Sequence, residues 1–225
     1  MLDLLIPEFA GTCRTFAEDE WQSATTHPFV GALIDGTLDA DRFRFYQMQD
    51  ARYLEAFADA CSLISVRCPH PEDKLWFVDA ARLALVVEQE LHSGYGERLG
   101  YTPEDVRHLD LTPNAHAYST HMVASAQSGS LLVALAALAP CPWLYTEVGM
   151  GLPEYSDSHP YAAWLGTYAD PGFITYTNAL LARLEKQAGF ASPEDREAAK
   201  RAFRASVRFE WMFWEQAWTR QEWPV

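Results

Sequence analysis

Basic residues are scarce in this sequence: 17 lysines and arginines stand against 31 aspartates and glutamates, a formal charge of -14. Such a chain repels phosphate backbones and anionic head groups, which argues against a nucleic-acid or membrane-surface partner. Long apolar runs are missing as well. The longest, Leu131 to Ala139, falls short of the roughly 18 residues that cross a bilayer. No basic region precedes the short apolar stretch Leu4-Leu5-Ile6, and acids interrupt it, so a secretory signal is not expected. Cysteine is limited to Cys13, Cys61, Cys68 and Cys141, with no C-x-x-C pair, which removes the common zinc and redox motifs. On one helix Cys61 and Cys68 would stand about 10 Å apart, too far for a disulfide. Reduced thiols in a reducing, cytoplasmic compartment are the simplest expectation.

Period-two alternation is also absent, and so are internal repeats and low-complexity tracts. What the chain does contain is apolar residues at helical spacing almost throughout, with 49% hydrophobic residues and eight tryptophans. That composition suits a packed globule, and the periodicity predicts an all-α fold, a multi-helix bundle in a single domain covering 1–225. A first helix is expected from about Pro7 to Ala24, with Phe9, Cys13, Phe16, Ala17 and Trp21 inward. Turns follow at His27-Pro28 and Asp35-Gly36-Thr37. A second helix begins near Asp39 and ends before Pro69; a third begins after Pro71 and stops at Gly100. Thr112-Pro113 opens a fourth, reaching about Ser125.

The segment from Ser130 to Val148 is apolar nearly all round, so it should be the buried central helix. Pro140 and Pro142 interrupt it and flank Cys141. Each removes a backbone donor, which predicts a kink where a polar group can be presented. Further helices are expected near His159-Pro160, holding Trp164 and Tyr168, and from Pro171. Ser192-Pro193-Glu194-Asp195 then caps a last helix running to about Arg220.

Several reactive side chains fall on faces that otherwise read as core. Asp50 and Tyr53 are three apart, Cys141 and Tyr145 four apart, Trp164 and Tyr168 four apart, and Glu210 precedes Phe213 and Trp214 by three and four; each set shares a face. Taken singly, each has an ordinary reading. A carboxylate on a helix is usually solvated, a free cysteine is usually a small hydrophobe, and tyrosines at this spacing are usually core. Glu88, Glu90 and His92 invite a metal, but a di-iron bundle needs a repeated Glu-x-x-His. Glu88-x-x-x-His92 has the wrong spacing and the last helix offers no histidine, so no metal or other cofactor is expected.

Taken in order, the motifs resemble the TenA/thiaminase II family of the haem-oxygenase-like fold. They are His27-Pro28-Phe29-Val30 with Asp35-Gly36-Thr37-Leu38, then Phe43-x-x-Tyr46-x-x-Gln49-Asp50-x-x-Tyr53-Leu54-x-x-Phe57. Glu90-Leu91-His92, Ala117-Tyr118, Pro140-Cys141-x-Trp143-Leu144-Tyr145-x-Glu147-Val148-Gly149 and Phe209-Glu210-x-x-Phe213-Trp214-x-x-Ala217 complete the set. Arg52 inside the second motif departs from a residue that is easy to bury, and is expected to face solvent or a neighbouring subunit.

The resemblance implies a central pocket, usually a homotetramer, and hydrolysis of thiamin-related aminopyrimidines. An aminomethyl-aminopyrimidine would yield a hydroxymethylpyrimidine and ammonia, and thiamin would be split by water. It implies Cys141 as nucleophile on the pyrimidine ring, Asp50 on the amino group, and Glu210 at the ring nitrogen edge handling protons. Tyr53, Tyr118, Tyr145, Tyr168 and Phe213 would supply the aromatic surroundings. The alternatives are a non-catalytic binder of pyrimidine or thiamin, or a regulatory protein, using the same pocket. A haem- or di-iron-dependent oxygenase on the related fold would instead carry metal.

Overall fold

In a computed structural model of the chain, residues 3–156 and 158–225 are described, apart from the side chains of 87–93. Among them every regular element is a helix. The expected first helix is two: α1, Glu8–Phe16, and α2, Glu18–Thr25. Ala17 leaves helical geometry (φ -113°, ψ 23°) and reorients the chain. Trp21 thereby reaches the core, whereas Phe16, expected inward, stays 38% exposed. Between the two expected turns lies a short helix that periodicity could not declare, α3, Pro28–Ile34. Its N-cap is His27, whose Nδ1 accepts from the Phe29 N–H at 3.1 Å.

The two long helices α4, Ala40–Arg67, and α5, Pro71–Leu99, form an antiparallel pair. Asp39 caps α4 through its carboxylate, and Gly100 ends α5 at φ 72°, a conformation that a Cβ disfavours. A one-turn helix, α6, Pro103–Arg107, follows on a Thr102–Asp105 capping box. α7, Pro113–Gln127, starts where Thr112-Pro113 predicts. Arg52 is not simply solvent-facing: it bonds Glu55 at 3.0 Å and donates to the Arg107 carbonyl at 3.1 Å, pinning α6 to α4.

The central apolar segment is divided into α8, Leu131–Leu138, and α9, Pro140–Met150. Together Leu131–Met150 are long and apolar enough to cross a membrane, a reach that the run to Ala139 understates, but 78% of that window is buried inside the protein. Its apolarity is that of a core helix. α10, Ala162–Ala169, α11, Pro171–Ala188, and α12, Pro193–Thr219, close the bundle. α12 packs against α1, α2, α3, α4, α7, α8 and α9, so it and α8 form the axis of the molecule.

Aromatic rings fill the space around that axis. Trp21 stacks on Phe203 at 5.9 Å and meets Trp143 edge-on at 5.1 Å. Phe29 stacks on Trp214 at 5.3 Å. All five are essentially inaccessible to water, and each such burial contributes roughly 3 kcal/mol. The indole N–H groups of Trp21 and Trp143 both donate to Glu147, one to each carboxylate oxygen, at 2.8 Å. That clamp fixes α9 against α2.

Candidate active site

The break between α8 and α9 is the local reason a thiol is presented. Pro140 and Pro142 lack the N–H groups that would bond the carbonyls of Ala136 and Leu138. Side chains from elsewhere satisfy neighbouring carbonyls. Ser206 of α12 donates to the Ala137 carbonyl at 2.7 Å, and His121 of α7 lies 3.1 Å from the same hydroxyl. Thr146 donates to the Pro142 carbonyl at 2.7 Å. Cys141 therefore stands in the first turn of α9, half-buried, where the two prolines leave the helical ladder incomplete.

A partly open cavity lies against it. Asp50 of α4, Cys141 and Tyr145 of α9, and Tyr168 of α10 are among the residues lining it. Asp50 is 5% exposed and Glu210 of α12 is 2% exposed. Glu210 sits behind the thiol: Tyr118 donates to its carboxyl at 2.6 Å, and it hydrogen-bonds with Cys141. The Tyr53 hydroxyl donates to the Met122 sulfur at 3.3 Å, and its ring packs on Tyr118 and Phe213 with ring centroids 4.8 and 5.4 Å away. All eight residues singled out by sequence thus meet around one sulfur. Four lie on the cavity wall; Glu210, Tyr53, Tyr118 and Phe213 form the layer behind it.

Two further residues belong to this layer. Tyr46 shares a hydrogen bond of 2.9 Å with the Tyr145 hydroxyl, and Trp164 packs edge-on against Tyr168 at 4.5 Å. Tyr46 stood in the quoted motif, four residues before Asp50 on the same helix face, which is the signal that could have placed it. For Trp164 only its spacing from Tyr168 was legible.

Burial governs the electrostatics. Taking Glu210 out of water, with Asp50 nearby, pushes its carboxyl up to about 8, and the bonds from Tyr118 and Cys141 only partly offset this. The Cys141 thiol is raised well above its ordinary value by burial and by the two carboxyl groups, against a lowering contribution from Tyr53. The free site accordingly holds a neutral thiol beside a carboxyl group that titrates near neutrality. Such a pair can pass one proton between sulfur and oxygen, and an aromatic-walled cavity can seat a flat heterocycle against it. By contrast Cys61 lies deep in the core with its thiol raised by burial alone. Among the described residues no group of three histidine, cysteine or acidic side chains is placed to hold a metal. The Glu88, Glu90 and His92 side chains lie outside the described residues.

Residues 16–220 match the profile of the TENA/THI-4/PQQC family. The chain belongs to that family. An aminopyrimidine aminohydrolase from Bacillus subtilis (strain 168) is 33% identical over 217 residues, covering 96% of this chain and 92% of its own. A TenA homologue protein from P. horikoshii OT3 superposes with a TM-score of 0.83 at 29% identity, over 95% of this chain and 99% of its own. A domain with a heme oxygenase-like fold from Shewanella denitrificans OS217 superposes at 0.73 with 13% identity, over 96% and 94%, a likeness of fold alone. In this TenA-family chain the acids, thiol and tyrosines come from five helices, α4, α7, α9, α10 and α12.

Proposed function

We propose that this protein hydrolyses thiamin-related aminopyrimidines in thiamin salvage, with Cys141 as nucleophile. The observation that carries the reading is the meeting of Asp50, Cys141 and Glu210, from three helices, at one aromatic-walled cavity. Family membership and the Bacillus subtilis relative support the same chemistry.

The geometry suggests the following sequence. Asp50 accepts from the exocyclic amino group and so orients the ring. As the Cys141 sulfur bonds a ring carbon, its proton passes to Glu210, which delivers it to the ring nitrogen edge. The electron pair released into the ring then breaks the exocyclic C–N bond, expelling ammonia from the ammonium form of the aminomethyl compound or neutral thiazole from the thiazolium of thiamin. Water adds to the methylene, the C–S bond breaks, the ring regains its aromaticity, and the thiol recovers its proton. The net change replaces an amine by a hydroxyl. Glu210, raised to about 8, is suited to take and return a proton near neutral pH, a role worth about 10²- to 10⁴-fold.

Steady-state rates of the wild type and Cys141→Ala on an aminomethyl-aminopyrimidine and on thiamin test this. Comparable turnover by the two proteins defeats the cysteine mechanism. Tight binding without turnover by the wild type favours a non-catalytic binder or regulatory protein.

We extend the reading to a cytoplasmic homotetramer built from one helical domain per chain. Four unpaired thiols support a reducing compartment. Val66, Leu75 and Val78, exposed by 71, 65 and 53% on α4 and α5, supply apolar surface for a subunit contact.

A further inference from the structure

Besides Asp50 and Cys141, the cavity is lined by Leu54, Phe57, Ala80, Ala84, Phe173 and Tyr176. Among the described residues lining it, Asp50 is the one charged group, and no lysine, arginine or histidine faces the space. The aromatic part of this lining is also built with unusual regularity. Tyr168 meets Phe173 edge-on at 5.1 Å, Phe173 stacks on Tyr176 at 6.1 Å, and Tyr176 stacks on Trp76 at 5.1 Å with the planes 20° apart.

An ion-pair network braces the far end of this row. The Arg183 guanidinium lies 4.4 Å from the Trp76 ring, and Asp73, only 8% exposed, bonds both Arg183 at 3.1 Å and Lys186 at 2.9 Å. The nearby cations are thereby committed to Asp73. Tyr176 and Cys141 line the same cavity.

With a pyrimidine held at Asp50 and attacked by Cys141, a group on its exocyclic methylene would extend along the apolar part of this lining. Aromatic faces attract a flat cation, whereas a phosphate would lose water there without a counterion and with a carboxylate close by. We propose that Tyr176, backed by Phe173 and Trp76, is the leaving-group wall and a specificity-determining residue of this enzyme. It accepts a flat, neutral or cationic heteroaromatic leaving group and rejects a phosphorylated one. The proposal rests on the aminopyrimidine reading given above.

The experiment compares thiamin, its monophosphate ester and an aminomethyl-aminopyrimidine, which releases ammonia and presents no ring to the wall. Tyr176→Ala is expected to lower kcat/KM for thiamin by about 10- to 100-fold, mainly through KM, and by less than about threefold for the aminomethyl compound. Tyr176→Phe keeps the stacked ring and should retain the thiamin rate. The wild type should favour thiamin over its monophosphate by about 100-fold or more. Equal losses on both unphosphorylated substrates, or turnover of the monophosphate at the thiamin rate, would overturn the wall.

Binding separates this proposal from the one beneath it. Absence of turnover in the wild type defeats the aminohydrolase reading, but thiamin titrated into Cys141→Ala still reports on the wall through quenching of tryptophan fluorescence. Quenching weakened at least tenfold in affinity by adding Tyr176→Ala upholds the wall. Affinity unchanged by that substitution, or no quenching, overturns it.

Discussion

At the scale of single residues, the chemistry turns on how burial is distributed between Cys141 and Glu210. Because Glu210 is raised to about 8, the fraction able to accept the thiol proton grows as pH rises toward that value. The expected kcat/KM profile climbs about tenfold per pH unit below 8 and flattens above it. Glu210→Gln should cost at least about 10²-fold and abolish the limb; a limb surviving in that variant assigns the proton transfer elsewhere. The same shift has a stability consequence of definite sign. Unfolded Glu210 ionises near its ordinary value of 4.5 while the folded group holds its proton to about 8, so its favourable contribution is full below 4.5. It is lost as pH rises through 8. Melting temperatures of Glu210→Gln relative to wild type should therefore improve from pH 5 to about pH 8 and level off above it. Seven of the eight residues proposed for the site were legible because they sit in the compact motifs that carry the family resemblance; Tyr168 had only its spacing from Trp164. Sequence could not say that Tyr118 bonds Glu210 or that Tyr46 bonds Tyr145, since those partners are 92 and 99 positions apart.

Among the elements, α9 is closely constrained, since it presents Cys141 while crossing the core. Gly149 lies where a Cβ would come within 2.2 Å of the Tyr168 carbonyl oxygen and 2.9 Å of the Ala169 nitrogen, both backbone atoms that cannot swing away. Gly149→Ala should push α10 outward, displace Tyr168 from the cavity and cost about 2 kcal/mol or more. Thermal melts with a crystal structure of the variant check both effects. Glu147, held by the Trp21 and Trp143 indoles, is expected to be similarly intolerant: Glu147→Ala leaves two buried donors unpaired, at about 1–3 kcal/mol each. A melting temperature within about 2 °C of wild type would show the clamp to be dispensable. Most long helices were legible from their punctuation, as with Asp39, Pro71, Gly100, Thr112-Pro113 and Ser192-Pro193. The misses share a cause. The break at Ala17 and the helices α3 and α6 are too short or too ordinary in composition to show a period of their own, and tertiary packing decides them.

For the whole molecule, apolar side chains exposed on α4 and α5 and a formal charge of -14 pull in opposite directions. The apolar surface favours association, and the charge keeps the particle soluble. Sedimentation of the wild type should give a particle of four 25.4 kDa chains, and Leu75→Glu with Val78→Glu should reduce it to smaller species without loss of helical signal. A tetramer indifferent to both charges places the interface on another face. The sequence alone determined the all-helical architecture and the buried central segment, and it put the thiol and acids on helix faces that read as core, because helical periodicity and proline placement are local properties. Only the tertiary structure decided that Glu210 lies behind Cys141 rather than across from it, that Asp50 shares the cavity wall with Tyr145 and Tyr168, and that an aromatic row runs through Tyr176. Those relations join helices distant along the chain. They are set by how side-chain volumes pack around α8 and α12, a property of the assembled core that no window of sequence contains.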